Sequence, residues 1–144
     1  VLNTSIVLDT SVVIKWFRQG EVLAEEALAL RDAYLYGQIE VALPTLLAYE
    51  LANVLRYKAD LTTKQVQTAV RSLFDMGLAW VLPSSEMMER AVEIARIHNT
   101  TVYDATFAAL AESVGATFVT ADERLVRRLE ALPLVRFLDQ VEDV

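Results

Sequence analysis

The chain of 144 residues contains no cysteine and one histidine, His98. The absence of cysteine excludes disulfides, thiolate nucleophiles and zinc or iron–sulfur sites with sulfur ligands. A single histidine excludes a two-histidine metal site, and a Ser–His–Asp triad would have to use His98. The chemical groups that remain in quantity are the 20 aspartate and glutamate side chains.

Long apolar runs are also absent, since the longest stretch without a charged side chain extends only from Met76 to Ser85. A membrane-spanning helix needs roughly twenty apolar residues, so we expect no membrane segment. The first residues lack the basic region of a signal peptide, so we expect a cytoplasmic protein. The net charge of −7 argues against broad adhesion to nucleic acid. An enzyme that acts on phosphodiesters stays possible where a divalent cation lies between carboxylates and phosphate.

Short β-branched strands alternate with amphipathic helices along the whole chain. This alternation predicts a single α/β domain over residues 1–144, an α/β/α sandwich whose short, mostly parallel sheet is covered by helices on both faces. Ligands in such folds bind at the carboxyl ends of the strands. The predicted strands are 5–8, 39–43, 80–82, 117–120 and 134–138, and the main predicted helices are 22–36, 45–58, 62–76, 85–99, 103–114 and 122–131.

Four carboxylates lie at informative places in this pattern. Asp9 and Asp122 each follow a predicted strand, and Asp104 lies in the first turn of an alanine-rich helix. Glu50 borders the apolar stripe of its helix. Each has an ordinary structural explanation: aspartate caps helices, an acid in the first turn favours the helix dipole, and Glu50 could pair with Arg56.

In combination the four carboxylates indicate more than helix capping. If they converge, their like charges repel and raise each other's pKa values. Magnesium or manganese relieves this repulsion, because these ions prefer oxygen ligands and keep water molecules and substrate phosphate in their shells. Such a site would activate water for attack on phosphorus.

The order of these motifs resembles that of the PIN domain family and, within it, the VapC toxins of prokaryotic toxin–antitoxin pairs. The resemblance runs from Leu8-Asp9-Thr10-Ser11 through Tyr103-Asp104-Ala105 to Thr120-Ala121-Asp122. It implies that Asp9, Glu50, Asp104 and Asp122 are metal ligands or act on the metal through water, and that Ser11 and Thr120 support them by hydrogen bonds. It further implies a metal-dependent endoribonuclease for single-stranded RNA that forms a homodimer and is inhibited by a cognate antitoxin.

Two groups of basic residues are candidates for contact with an RNA backbone. Lys15 and Arg18 follow Asp9, and Arg124, Arg127 and Arg128 follow Asp122. Solvated helix surfaces with acidic neighbours are the alternative for both groups.

Two other functions remain open. A magnesium-dependent phosphotransfer or phosphatase domain also begins with an aspartate after the first strand, although a haloacid dehalogenase-like enzyme would need a second aspartate where Ser11 stands. A non-catalytic protein-binding domain would use the four acids only as helix caps. The amphipathic helices between Val22 and Met76 are our predicted surface for a dimer or another partner.

Overall fold

The computed structural model describes residues 4–141. The parts of the predicted 1–144 domain at residues 1–3 and 142–144 lie outside the described residues. The described part of the chain contains five strands and seven α-helices. They are β1 (Thr4–Leu8), α1 (Thr10–Val13), α2 (Ala24–Leu35), β2 (Ile39–Pro44), α3 (Leu46–Arg56), α4 (Thr63–Asp75), β3 (Ala79–Val81), α5 (Ser85–His98), α6 (Val102–Val114), β4 (Thr117–Thr120), α7 (Glu123–Arg128) and β5 (Val135–Phe137), with 3₁₀ turns at Ile14–Trp16 and Leu138–Gln140.

All five described strands are parallel and have the order β3-β2-β1-β4-β5. Parallel crossovers are right-handed, so the connections from β1 to β2 to β3 place their helices on one face. The connections that lead back to β4 and β5 place theirs on the other face. The predicted α/β/α sandwich is therefore confirmed.

The central strand β1 is buried between these two layers. Ile6, Val7 and Leu8 are at most 1% exposed, which explains why the second half of this strand is apolar without alternation. Ile6 lies opposite Val41 of β2 and Thr117 of β4. This register brings the carboxyl ends of β1 and β4, and hence the residues that follow them, to the same edge of the sheet.

The helix α6 is positioned by close packing. Its residues from Ala105 to Ala111 are all buried, and its small side chains allow a close approach to α5 and the sheet. Thr101 caps its first turn by accepting from the backbone N–H of Asp104. Arg90 of α5 then holds Glu112 near the other end through two hydrogen bonds of 2.8 and 2.9 Å.

The main predicted helices are present with ends that shift by up to three residues, and two of these shifts have a clear local cause. The helix α7 was predicted over 122–131, but it ends at Arg128. The chain turns after it, because the Leu129 side chain is fully buried and the Leu129 carbonyl accepts from the backbone N–H of Leu132. The helix predicted over 22–36 begins at Ala24, because Leu23 has a left-handed backbone with φ of 61°. Among residues 4–141, no helix has the length and apolar character needed to cross a membrane.

Candidate active site

Asp9 is a buried carboxylate at the end of β1, with only 6% of the residue exposed. It is the N-cap of α1, and its carbonyl accepts from the N–H groups of Val12 and Val13, both at 3.2 Å. Its Oδ1 accepts from the backbone N–H of Ser11 at 3.1 Å and from the Ser11 hydroxyl at 2.5 Å. The Thr120 hydroxyl donates to Oδ2 at 2.5 Å. Hydrogen bonds from its surroundings therefore fix both carboxylate oxygens.

The two hydroxyls connect Asp9 to the segment after β4. Ser11 Oγ accepts from the backbone N–H of Ala121 at 2.8 Å, and Thr120 Oγ1 accepts from that of Asp122 at 3.1 Å. The hydroxyl oxygens themselves are 3.3 Å apart. Ser11 and Thr120 thus join the loops after two neighbouring strands and orient Asp9 between them.

Glu50 is half-buried on α3 and is held by the residue next to Asp9. The Thr10 hydroxyl donates to Glu50 Oε1 at 2.9 Å. The alternative partner Arg56 instead has its guanidinium carbon 4.4 Å from the centre of the Tyr57 ring. Sequence reasoning missed Thr10, since no local spacing connects positions 10 and 50.

Asp104 and Asp122 line one small cleft. Asp104 is half-buried in the first turn of α6, and Asp122 is exposed as the N-cap of α7. Asp122 Oδ1 accepts from the backbone N–H groups of Arg124 and Leu125 at 3.0 and 3.2 Å, so its predicted capping role is present. The cleft has a volume of about 190 Å³ and is also lined by Thr100 and Arg128.

The pKa values report that the acids are close to one another. Burial, with a smaller contribution from the charges of Asp104 and Asp122, raises the pKa of Asp9 to about 7, although the hydrogen bonds from Ser11 and Thr120 act in the opposite direction. Burial also raises the pKa of Glu50 against the Thr10 hydrogen bond, with a further contribution from Asp104. The pKa of Asp104 is also raised, mainly by burial and to a smaller extent by the charge of Asp122. The four carboxylates therefore form one electrostatically coupled group.

The donor set suits a hard divalent cation that keeps part of its water shell. Within residues 4–141, no three histidine, aspartate or glutamate side chains are grouped tightly enough to enclose a metal ion by themselves. Magnesium usually binds proteins through one or two carboxylates, with water and substrate phosphate in the other positions, rather than in a complete protein cage. An open group of carboxylate oxygens that repel one another fits that mode of binding.

The two groups of basic residues lie in different surroundings. Lys15 and Arg18 are both paired with Glu21, at 3.7 and 2.5 Å. Arg124 and Arg128, in contrast, line the cleft that contains the two aspartates.

Comparison with known proteins identifies relatives in sequence and neighbours in structure. Ribonuclease VapC3 of Pyrobaculum aerophilum is 28% identical over 131 residues, which cover 88% of this chain and 96% of the relative. A toxin–antitoxin complex from Klebsiella pneumoniae contains a chain that matches with a TM-score of 0.70 and 18% identity, covering 92% of this chain and 97% of that one. VapC20 of Mycobacterium tuberculosis, described as a toxin that cleaves the sarcin–ricin loop, matches with a TM-score of 0.66 and 16% identity, covering 85% and 93% of the two chains.

The family model of the PIN domain matches residues 6–131. The matched region extends from β1 to just beyond α7 and includes all four carboxylates and both hydroxyls described above. The chain therefore belongs to the PIN domain family.

Proposed function

We propose that this protein is a divalent-metal-dependent endoribonuclease that cleaves single-stranded RNA, and that it is the toxin of a toxin–antitoxin pair. The observation that carries the proposal is the coupled group of carboxylates around Asp9, whose pKa burial raises to about 7. A buried carboxyl group with a strongly raised pKa at the carboxyl edge of a parallel sheet is characteristic of a functional site. The name of the ribonuclease relative, at 28% identity, supports RNA as the substrate.

In this proposal Asp9, Glu50, Asp104 and Asp122 hold Mg²⁺ or Mn²⁺, directly or through water. When bound, the ion would activate a water molecule and stabilise the negative charge that develops on the phosphate oxygens. Ser11 and Thr120 donate to Asp9 and keep its two oxygens in one orientation.

The remaining acids are held less completely. Thr10 fixes Glu50 through Oε1, and two backbone N–H groups fix Asp122 through Oδ1. The second oxygen of each of these two carboxylates accepts no hydrogen bond from residues 4–141, so it is available to a cation or to water. This arrangement lets the protein orient its ligands before the ion and the substrate arrive.

The test is cleavage of an unstructured RNA oligonucleotide in Mg²⁺ by the parent protein and by Asp104→Asn. Loss of a side chain that supports a metal site costs about 10–100-fold in metal affinity or activity, and we expect a loss of at least that size. Asp75→Asn, at the exposed end of α4, is the matched control and should cleave at the parental rate. Circular dichroism of each variant checks that the fold is intact.

An Asp104→Asn protein that is folded and cleaves as fast as the parent would contradict the nuclease assignment. A beryllofluoride adduct on Asp9 would instead favour the phosphotransfer alternative. If divalent ions changed neither melting temperature nor RNA cleavage, the non-catalytic binding domain would be the better description.

We also propose that the protein acts in the cytoplasm, where it pairs with a second copy of itself and binds a cognate antitoxin. The structural neighbour from Klebsiella pneumoniae is part of a toxin–antitoxin complex, which supports an antitoxin partner. An apolar hollow of about 920 Å³ between α3, α4 and β3 supports the dimer, because Tyr49 and Phe74 line it with 77% and 52% of their surfaces exposed.

Light scattering should give the mass of two chains for the parent and of one chain for Tyr49→Arg. A single-chain mass for the parent would contradict the dimer.

A further inference from the structure

RNA that approaches this site meets strong repulsion. The chain has a net charge of −7, and Asp104 and Asp122 line the cleft itself. Binding of single strands depends on neutralising backbone phosphates with Lys or Arg side chains. A nuclease with these carboxylates therefore needs cationic side chains close to them that are not already neutralised.

The first group of basic residues does not meet this need. Lys15 and Arg18 share Glu21, and Arg18 also pairs with Asp60 at 3.1 Å. These ion pairs connect the segment after α1 with the loop before α4. Both cations are thus engaged within the protein.

The second group offers two cations at the cleft. Arg124 and Arg128 are four residues apart on α7, so they share one face of the helix, and both line the cleft with Asp104 and Asp122. Within residues 4–141, neither guanidinium has a carboxylate oxygen within ion-pair distance. Arg127 is exposed on the same helix and does not line the cleft.

Arg128 is also held in position. Its Nη1 donates to the carbonyl of Asn99 at 2.9 Å, where the left-handed backbone of Asn99, with φ of 54°, ends α5. This bond anchors one end of the planar guanidinium and leaves its other N–H donors for a ligand. Because a guanidinium presents two parallel N–H groups to a phosphate, an anchored arginine binds it with defined geometry.

We propose that Arg124 and Arg128 bind two backbone phosphates of single-stranded RNA beside the carboxylate group and so position the strand for cleavage. The inference rests on the proposed function and adds the substrate-binding residues to it. Phosphate contacts carry no base information, so this pair contributes affinity and register rather than sequence preference.

The test measures binding of a fluorescein-labelled, unstructured RNA oligonucleotide by anisotropy, at fixed Mg²⁺ and increasing monovalent salt. The Asp9→Asn background prevents cleavage during the titration. Each phosphate contact to a single strand contributes about 0.7 to the slope of log affinity against log salt. The Arg124→Gln/Arg128→Gln pair should therefore lower the slope by about 1.4, and Arg124→Lys/Arg128→Lys should retain most of it.

Arg127→Gln is the matched control for Arg124→Gln, since each removes one charge from the same helix and Arg127 does not line the cleft. An unchanged slope in the double variant would overturn the proposal, and so would a reduction in Arg127→Gln as large as that in Arg124→Gln. If Arg128→Gln lowers the melting temperature by loosening Asn99, Arg124→Gln alone decides and should lower the slope by about 0.7. The proposal would also be overturned if the arginine substitutions weakened binding of single-stranded DNA and left binding of RNA unchanged.

Cleavage by the protein with Asp9 intact separates this inference from the proposed function. If the parent cleaves RNA and the double variant has an unchanged KM and salt slope, only the arginine proposal fails. If the parent does not cleave but binds RNA through the two arginines, only the nuclease proposal fails. We expect the double variant to have a raised KM and a kcat that changes by a smaller factor.

Discussion

Replacing Asp9 with asparagine should make the protein more stable at neutral and alkaline pH. The folded chain holds the Asp9 proton up to a pH of about 7, whereas the unfolded chain loses it near its ordinary pKa of about 3.9. Unfolding therefore releases a proton between these pH values, and the free energy of unfolding falls as pH rises through this window. A pKa difference of about 3 corresponds to about 4 kcal/mol, at 1.36 kcal/mol per pKa unit.

Asparagine removes this cost and keeps the helix cap, because it is as good an N-cap as aspartate. We expect Asp9→Asn and the parent to be equally stable near pH 4, and the variant to be more stable by up to about 4 kcal/mol above pH 7. Urea denaturation without divalent ions, followed by circular dichroism across this range, measures the difference. Glu89→Gln, exposed on α5, is the control and should stay within about 0.5 kcal/mol of the parent. A difference that does not depend on pH, or a destabilised Asp9→Asn at pH 8, would refute the reasoning.

Two further predictions concern the same site. Ser11→Ala removes a donor to Asp9 and the acceptor for the Ala121 N–H, so it should lower the free energy of unfolding by about 1–3 kcal/mol in urea denaturation. Ser72→Ala is the control, because the Ser72 hydroxyl donates to an exposed helix carbonyl. An equal effect of the two variants would contradict the role given to Ser11. RNA cleavage should increase as pH rises and Asp9 ionises, and more Mg²⁺ should move the midpoint to lower pH, because the cation binds the ionised carboxylate. A midpoint that does not respond to Mg²⁺ would separate the ionisation from metal binding.

The layout of the sheet could be predicted because its signals are local. β1 ends in the apolar run Ile6-Val7-Leu8 and stops at Asp9, and Gly115 ends α6 with φ of 67° just before β4. Parallel topology then places the residues after β1 and β4 side by side. This is why two aspartates separated by more than a hundred positions could be expected at one edge.

Interactions between distant segments could not be predicted. The hydrogen bond from Thr10 to Glu50 and the bond from Ser11 Oγ to Ala121 depend on how α1 packs against α3 and β4. The sequence also could not separate the capping and site explanations of Asp9. The structure explains why: Asp9 caps α1 and is at the same time a buried, coupled carboxylate. The two explanations are compatible, because a cap orients an acid without removing its charge.

The central claim is that the carboxylates at the edge of the sheet form a binding site for a divalent cation. An anomalous-scattering map of a crystal soaked in manganese tests it most directly. We predict a peak within coordination distance, about 2 Å, of at least one carboxylate oxygen among Asp9, Glu50, Asp104 and Asp122. A map with manganese bound elsewhere on the protein and no peak at these side chains would contradict the account.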